Sequence, residues 1–86
     1  MNRILSQTVL LTASDERDYQ LTIRIVRMIP SLNGRHFSAR PSSLVSLYDR
    51  VAMRCNLRES YGVTEEDAAR NCAATVEEFL ETSKDI

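Results

Sequence analysis

The clearest pattern in the chain is the alternation of Tyr19, Leu21, Ile23 and Ile25 with Gln20, Thr22 and Arg24. Successive side chains of a strand point to opposite faces, so this period of two predicts a half-buried strand over about 19–29. After Ile25 the phase reverses, with Val26 and Met28 apolar around Arg27, which predicts a bulge or twist. Upstream, residues 4–12 (ILSQTVLLT) are β-branched and aliphatic, and predict a strand with both faces partly apolar. The polar run Ser14-Asp15-Glu16-Arg17-Asp18 supplies the turn between the two.

Asn33-Gly34 is the strongest turn signal, because a type I′ hairpin needs positive φ at both central residues. In that register Leu32 faces Arg35, Pro30 faces Phe37 and Met28 faces Ala39, predicting a short third strand at 35–39. Val26, Met28, Phe37 and Ala39 then share one face. Pro30, lacking an N–H, is expected where no ladder bond is required.

Beyond this point the periodicity changes. Pro41-Ser42-Ser43 reads as a sheet end followed by a helix N-cap, and Leu44, Leu47, Tyr48, Val51, Ala52 and Cys55 follow at helical spacing. Gly62 reads as the C-terminal signal of that helix. Thr64 caps a second helix, opened by Glu65, Glu66 and Asp67 at its positive end. Its apolar stripe is Ala68, Ala69, Cys72, Ala73, Val76, Phe79 and Leu80. The predicted fold class is α+β: an antiparallel two- or three-stranded β-meander (4–12, 19–29, 35–39) followed by an antiparallel two-helix hairpin (43–61, 65–82). With 86 residues, two Gly and two Pro, the chain is expected to form a single domain over 1–86.

Composition adds little except in charge. The net charge is −1, but residues 24–58 carry seven arginines against Asp49, a net of +6. Residues 59–86 carry eight acids against Arg70 and Lys84, a net of −6. Ten of the eleven basic residues are Arg, whose rigid fork suits carboxylate or phosphate. No stretch approaches the roughly 18–20 apolar residues that span a bilayer, so no membrane association is expected. The N-terminal apolar run is broken by Ser6, Gln7 and Thr8, and two cysteines without an export signal predict a cytoplasmic location.

Candidate chemistry is sparse. His36 is the only histidine, and with Cys55 and Cys72 it gives neither C-x-x-C nor H-x₃-H spacing, so no metal site is expected. No G-x-S-x-G or glycine-rich phosphate loop occurs, so neither catalysis nor a cofactor is expected. Cys55 and Cys72 would be level on the two predicted helices, either as a redox-switched disulfide or as two small thiols filling a tight contact. Arg50, Arg54 and Arg58 recur every four residues and would form a ridge on the first helix, offset by Glu66, Asp67 and Glu77 or by a partner. Arg24, Arg27, Arg35 and Arg40 would stud the sheet or its edge, where Asp15, Glu16 and Asp18 are the nearby acids in sequence. Glu77, Glu78 and Glu81 place negative charge where the helix dipole disfavours it. A helix-turn-helix over 57–79 fails, because Glu65, Glu66 and Asp67 would lead into the phosphate field.

The expected function is therefore that of a small, non-enzymatic interaction or regulatory protein. It would bind a protein partner through charged surfaces built from Arg24, Arg27, Arg35, Arg40, Arg50, Arg54, Arg58, Glu77, Glu78 and Glu81. The alternative is a nucleic-acid-binding protein using an Arg-rich sheet and first-helix face. Exposed strand edges also leave room for a homodimer.

Overall fold

The structure, a computed structural model, describes residues 4–13, 16–54 and 57–82. Its elements run β1 (Ile4–Thr12), β2 (Asp18–Leu32), β3 (Arg35–Ser46), β4 (Ala52–Met53), β5 (Ser60–Gly62) and α1 (Glu65–Thr82). The sheet is antiparallel in the order β1-β2-β3-β4, and β5 also pairs with β3. β4 lies against Leu44 and Val45, and β5 against Phe37 to Ala39, so the two short strands share the position beyond β3. α1 covers one face.

The sheet grows outward from β2. Tyr19, Leu21, Ile23 and Ile25 are all buried, as their alternation predicts, and Leu21 and Ile23 have no exposed surface. β1 pairs along its whole length without a bulge, from Ile4 opposite Val26 to Thr12 opposite Asp18. The Thr12 hydroxyl donates to Asp18 Oδ1 at 2.8 Å where the two strands meet. At the other end Asn33 and Gly34 have φ of 50° and 77°, the pair of positive values a type I′ turn requires.

The two-helix hairpin does not exist. Residues predicted as a helix over 43–61 instead prolong β3 to Ser46, turn back, and form β4 and β5. Pro41 sits within β3, and Leu44 and Ser46 point into the core while Ser43 and Val45 alternate with them. The helical spacing of Leu44, Leu47, Tyr48 and Val51 is coincidental. Leu44 is buried, but Leu47, Tyr48 and Val51 are 41%, 76% and 54% exposed around the β3–β4 turn. Arg50 takes a positive φ of 59° in that turn, and Asp49 Oδ1 accepts the Val51 amide at 3.1 Å.

The predicted register beyond the turn is also corrected. Leu32 faces Arg35, but Phe37 then faces Arg27 and Ala39 faces Ile25. Four residues of β2, Met28 to Ser31, are spanned by the single residue His36 of β3. The bulge falls around Pro30, which cannot donate to a ladder. Alternation along β2 keeps Ile25 on the face of Tyr19, Leu21 and Ile23 with Val26 on the opposite one, and the slip sets Phe37 and Ala39 on the side of Ile25. A second irregularity leaves Ser42 unpaired in the register, with its hydroxyl donating to the Thr22 carbonyl at 3.1 Å.

α1 occupies the span predicted for the second helix. Thr64 is its N-cap, with Oγ1 accepting the Asp67 amide at 3.0 Å. Ala68, Ala69, Cys72, Val76 and Leu80 are buried against the β2 row, Ala39 and Leu44. Asn71 Nδ2 donates to the Tyr61 carbonyl at 2.7 Å, tying the helix to β5. The proposed Cys55–Cys72 pairing lacks the helix pair it required. Cys72 is in the core, and Cys55 lies outside the described residues. No helix among the described residues is long and apolar enough to cross a membrane.

Gly62 ends no helix; it lets one approach. A Cβ there would fall onto the Ala68 backbone nitrogen and 2.8 Å from the Asp67 carbonyl carbon. Gly62→Ala is expected to destabilise the fold by at least about 1–3 kcal/mol, seen as a lower urea midpoint, because backbone must move. Thr64→Ala should cost about 1 kcal/mol in the same measurement, and Thr64→Ser much less.

Candidate functional site

With a single helix on one side, the other face of the sheet is open. Antiparallel register aligns side chains in rows across that face. One row runs Ser6, Arg24, Arg40, and another runs Thr8, Thr22, Ser43. A third runs Leu10, Gln20, Val45, with Leu10 71% exposed. Val26, Ser38 and Tyr61 form a fourth. The face is therefore rich in hydroxyls around two guanidinium groups.

Arg24 and Arg40 are direct cross-strand partners. Like charges at such a position oppose pairing, by about 0.5 kcal/mol for charges ~8 Å apart in water. Arg40 is offset by Glu59, whose Oε1 lies 2.8 Å from Nη2. Both side chains are substantially exposed, so that pair is worth about 0–1 kcal/mol. No ion pair to Arg24 exists among the described residues. The sheet thus carries an unneutralised cation at the centre of its open face, where it opposes rather than supports β2–β3 pairing.

The other predicted arginines scatter. Arg35, at the start of β3, stacks over the Tyr61 ring with Cζ 4.7 Å from its centroid. This contact is worth about 0.5–1 kcal/mol. Arg27 is exposed opposite Phe37, on the helix side of the sheet. Arg50, Arg54 and Arg58 form no ridge, because no helix carries them. Arg50 is in the β3–β4 turn, and Arg54 and Arg58 are exposed between β4 and β5. Glu66 and Asp67, two of their expected counter-charges, pair with Arg70 on α1, at 3.2 and 3.7 Å. Arg17 lies over the Tyr48 ring at 5.0 Å.

Glu77, Glu78 and Glu81 are exposed on α1, beside the end of β1. His36 is half-buried on β3 next to the hairpin turn. Among the described residues, no three His, Cys, Asp or Glu side chains are grouped to hold a metal ion. A wide-open concavity of about 660 Å³ lies between β5 and α1 and is lined by Arg35, Tyr61, Asp67 and Asn71. Tyr61 and Glu59 were not anticipated as neighbours of the arginines. Their position depends on β5 pairing with β3, and a three-residue strand leaves no period to detect.

No protein family, curated protein or solved structure matches the chain.

The Arg24–Arg40 juxtaposition gives a direct test of whether Arg24 serves the fold. Arg24→Glu should create an attractive cross-strand pair and raise stability by about 0.2–1 kcal/mol in urea unfolding. A loss of stability would mean that Arg24 is held by the fold.

Proposed function

We propose that the protein is a small non-enzymatic interaction protein that binds an acidic surface of a protein partner through the open face of its sheet. The observation that carries this reading is Arg24, which faces Arg40 and has no acidic partner among the described residues. The surrounding Ser6, Thr8, Thr22 and Ser43 hydroxyls can donate to the same carboxylates. Charge-assisted hydrogen bonds to a guanidinium fork are the strong ones, so one or two acceptors suffice for a specific contact. Leu10 and Val45 give the face an apolar margin that a protein partner could cover.

Nucleic-acid binding is the second reading, favoured by the Arg35–Tyr61 stack on the neighbouring row. Magnitude weighs against it. Duplex binders that show steep salt dependence neutralise about 6–10 phosphates. The open face offers Arg24 and a half-neutralised Arg40, with Glu59 beside them.

A photo-crosslinking residue at Thr22, introduced in the native cell, is expected to trap one defined protein, and Arg24→Glu to abolish that adduct without unfolding the chain. An adduct that persists in Arg24→Glu would remove the open face as the binding surface. Labelled DNA and RNA provide the second arm: micromolar binding that collapses between about 50 and 200 mM salt would replace the protein reading with the nucleic-acid one.

A further inference from the structure

The two edges of the sheet are built differently. On the β3 side the outermost position is filled by strands of two and three residues, interrupted by Arg54, Arg58 and Glu59. Short, broken and charged edges resist pairing with other chains. β1, at the other edge, pairs with β2 alone among the described strands. It is nine residues long, in unbroken register, and contains no charged residue, proline or glycine. In an antiparallel ladder every second residue of such a strand turns its N–H and C=O outward. Among the described residues, one edge is protected and the other is bare.

The surroundings of the bare edge specify what it accepts. α1 lies mainly over β3 and β5 and barely reaches β1, so clefts remain beside both ends of the strand. The cleft at the start of β1, about 350 Å³, has Leu5 and Ile25 as its apolar part and Glu65 and Glu66 on its rim. The cleft at the end, about 290 Å³, has Leu11, Ala13 and Leu80, rimmed by Glu77 and Glu78. Between them the helix side of β1 is half-buried Val9 and exposed Gln7. An apolar floor with an acidic rim at each end is complementary to a strand that is apolar in its middle and cationic at both ends.

We infer that the free edge of β1 is a docking site for an extended segment of another protein, which adds to the sheet as a further strand. Main-chain hydrogen bonds to β1 supply affinity, and alternate side chains supply specificity. Leu5 to Leu11 spans six residues, about 20 Å, so the cations of the incoming segment stand about six residues apart. Two apolar residues lie between them on the same face. A second copy of the chain does not meet this requirement. Two-fold pairing of β1 would bring an uncharged strand to rims that call for cations, and would add a second set of acids to the same side. This site is separate from the Arg24 face and does not depend on it.

The test uses a fluorescein-labelled nonapeptide, Thr-Arg-Thr-Val-Thr-Val-Thr-Arg-Thr, titrated with the full chain at 50 mM salt. Binding in the range of about 10–100 µM is expected, weakening roughly tenfold or more when Glu replaces both arginines. N-methylation of alternate peptide nitrogens should abolish it. The double variant Glu77→Lys, Glu78→Lys changes two exposed residues and keeps the helix, which circular dichroism verifies. It should weaken binding of the Arg peptide and gain a peptide in which Glu replaces only the arginine that meets residues 77 and 78. Amide shifts should map to β1, and Arg24→Glu should leave binding unchanged, which separates this site from the open face. No binding at about 1 mM peptide, or shifts confined to the Arg24–Arg40 face, would overturn the inference. A sedimenting dimer with protected β1 amides in the free protein would also overturn it, because the edge would already be occupied by a second copy.

Discussion

The fold depends on one row of side chains, Tyr19, Leu21, Ile23 and Ile25, pressed under Ala68, Cys72, Val76 and Leu80. Full burial of each large aliphatic member stabilises by about 1.5–3 kcal/mol. That contact makes the rest possible in both directions. An 18-residue helix ending in Glu77, Glu78 and Glu81 is marginal alone, and its stability comes from the sheet beneath it. The sheet in turn has no second apolar face, so its strands need the helix to form a core. Small residues at the start of α1 bring the helix close enough to reach Gly62, and Asn71 then fixes β5 through the Tyr61 carbonyl. β5 therefore owes its place to both layers.

A core with one covered face leaves the other face and the edges to solvent, and this sorts the charge. The acids of 65–81 ride on α1, above the helix-covered side, while Arg24 and Arg40 project from the open side. Arg27 stays on the helix side, so among the described residues the imbalance between the two halves of the sequence becomes only in part a difference between surfaces. Arg40–Glu59 is a contact between the basic stretch and the acidic one, and it joins exposed groups across neighbouring strands. The Arg70 pairs stay within one helix. Weak, exposed pairs of this kind leave most of the charge available to a partner.

Much of this architecture is legible in the sequence, and the part that is not has a definite cause. The period of two in β2, the aliphatic run of β1, the Asn33-Gly34 turn and the Thr64 cap are local signals, and each marks the right element. The stretch 43–61 imitates a helix because Leu44, Leu47, Tyr48 and Val51 satisfy helical spacing without sharing a buried face. The corrective signal was non-local. A tight turn at 33–34 following a strand that begins near 18 zips residues beyond 39 against β2, and β3 continues until its partner ends. Tyr19 opposite Ser46 is the last such pair. The arginine ridge of 50, 54 and 58 failed with the helix that was to carry it. Arg24 and Arg40 kept their expected place on the sheet, but their direct opposition depends on the three-residue slip around Pro30 and the extra residue at Ser42.

The two surfaces meet along β1. The row that holds Arg24 begins on β1 at Ser6, and the strand that holds Ser6 is the bare edge. A strand laid against β1 has two faces, and alternation assigns every second residue to each. Its residues on the helix side meet Glu65, Glu66, Glu77 and Glu78, while those on the other side extend the row of Ser6 and Arg24. An amphipathic requirement follows from geometry alone: cations on the helix side and uncharged residues on the other. A one-residue slip would turn the cations away from those acids, so the same arrangement that attracts a segment also fixes its register.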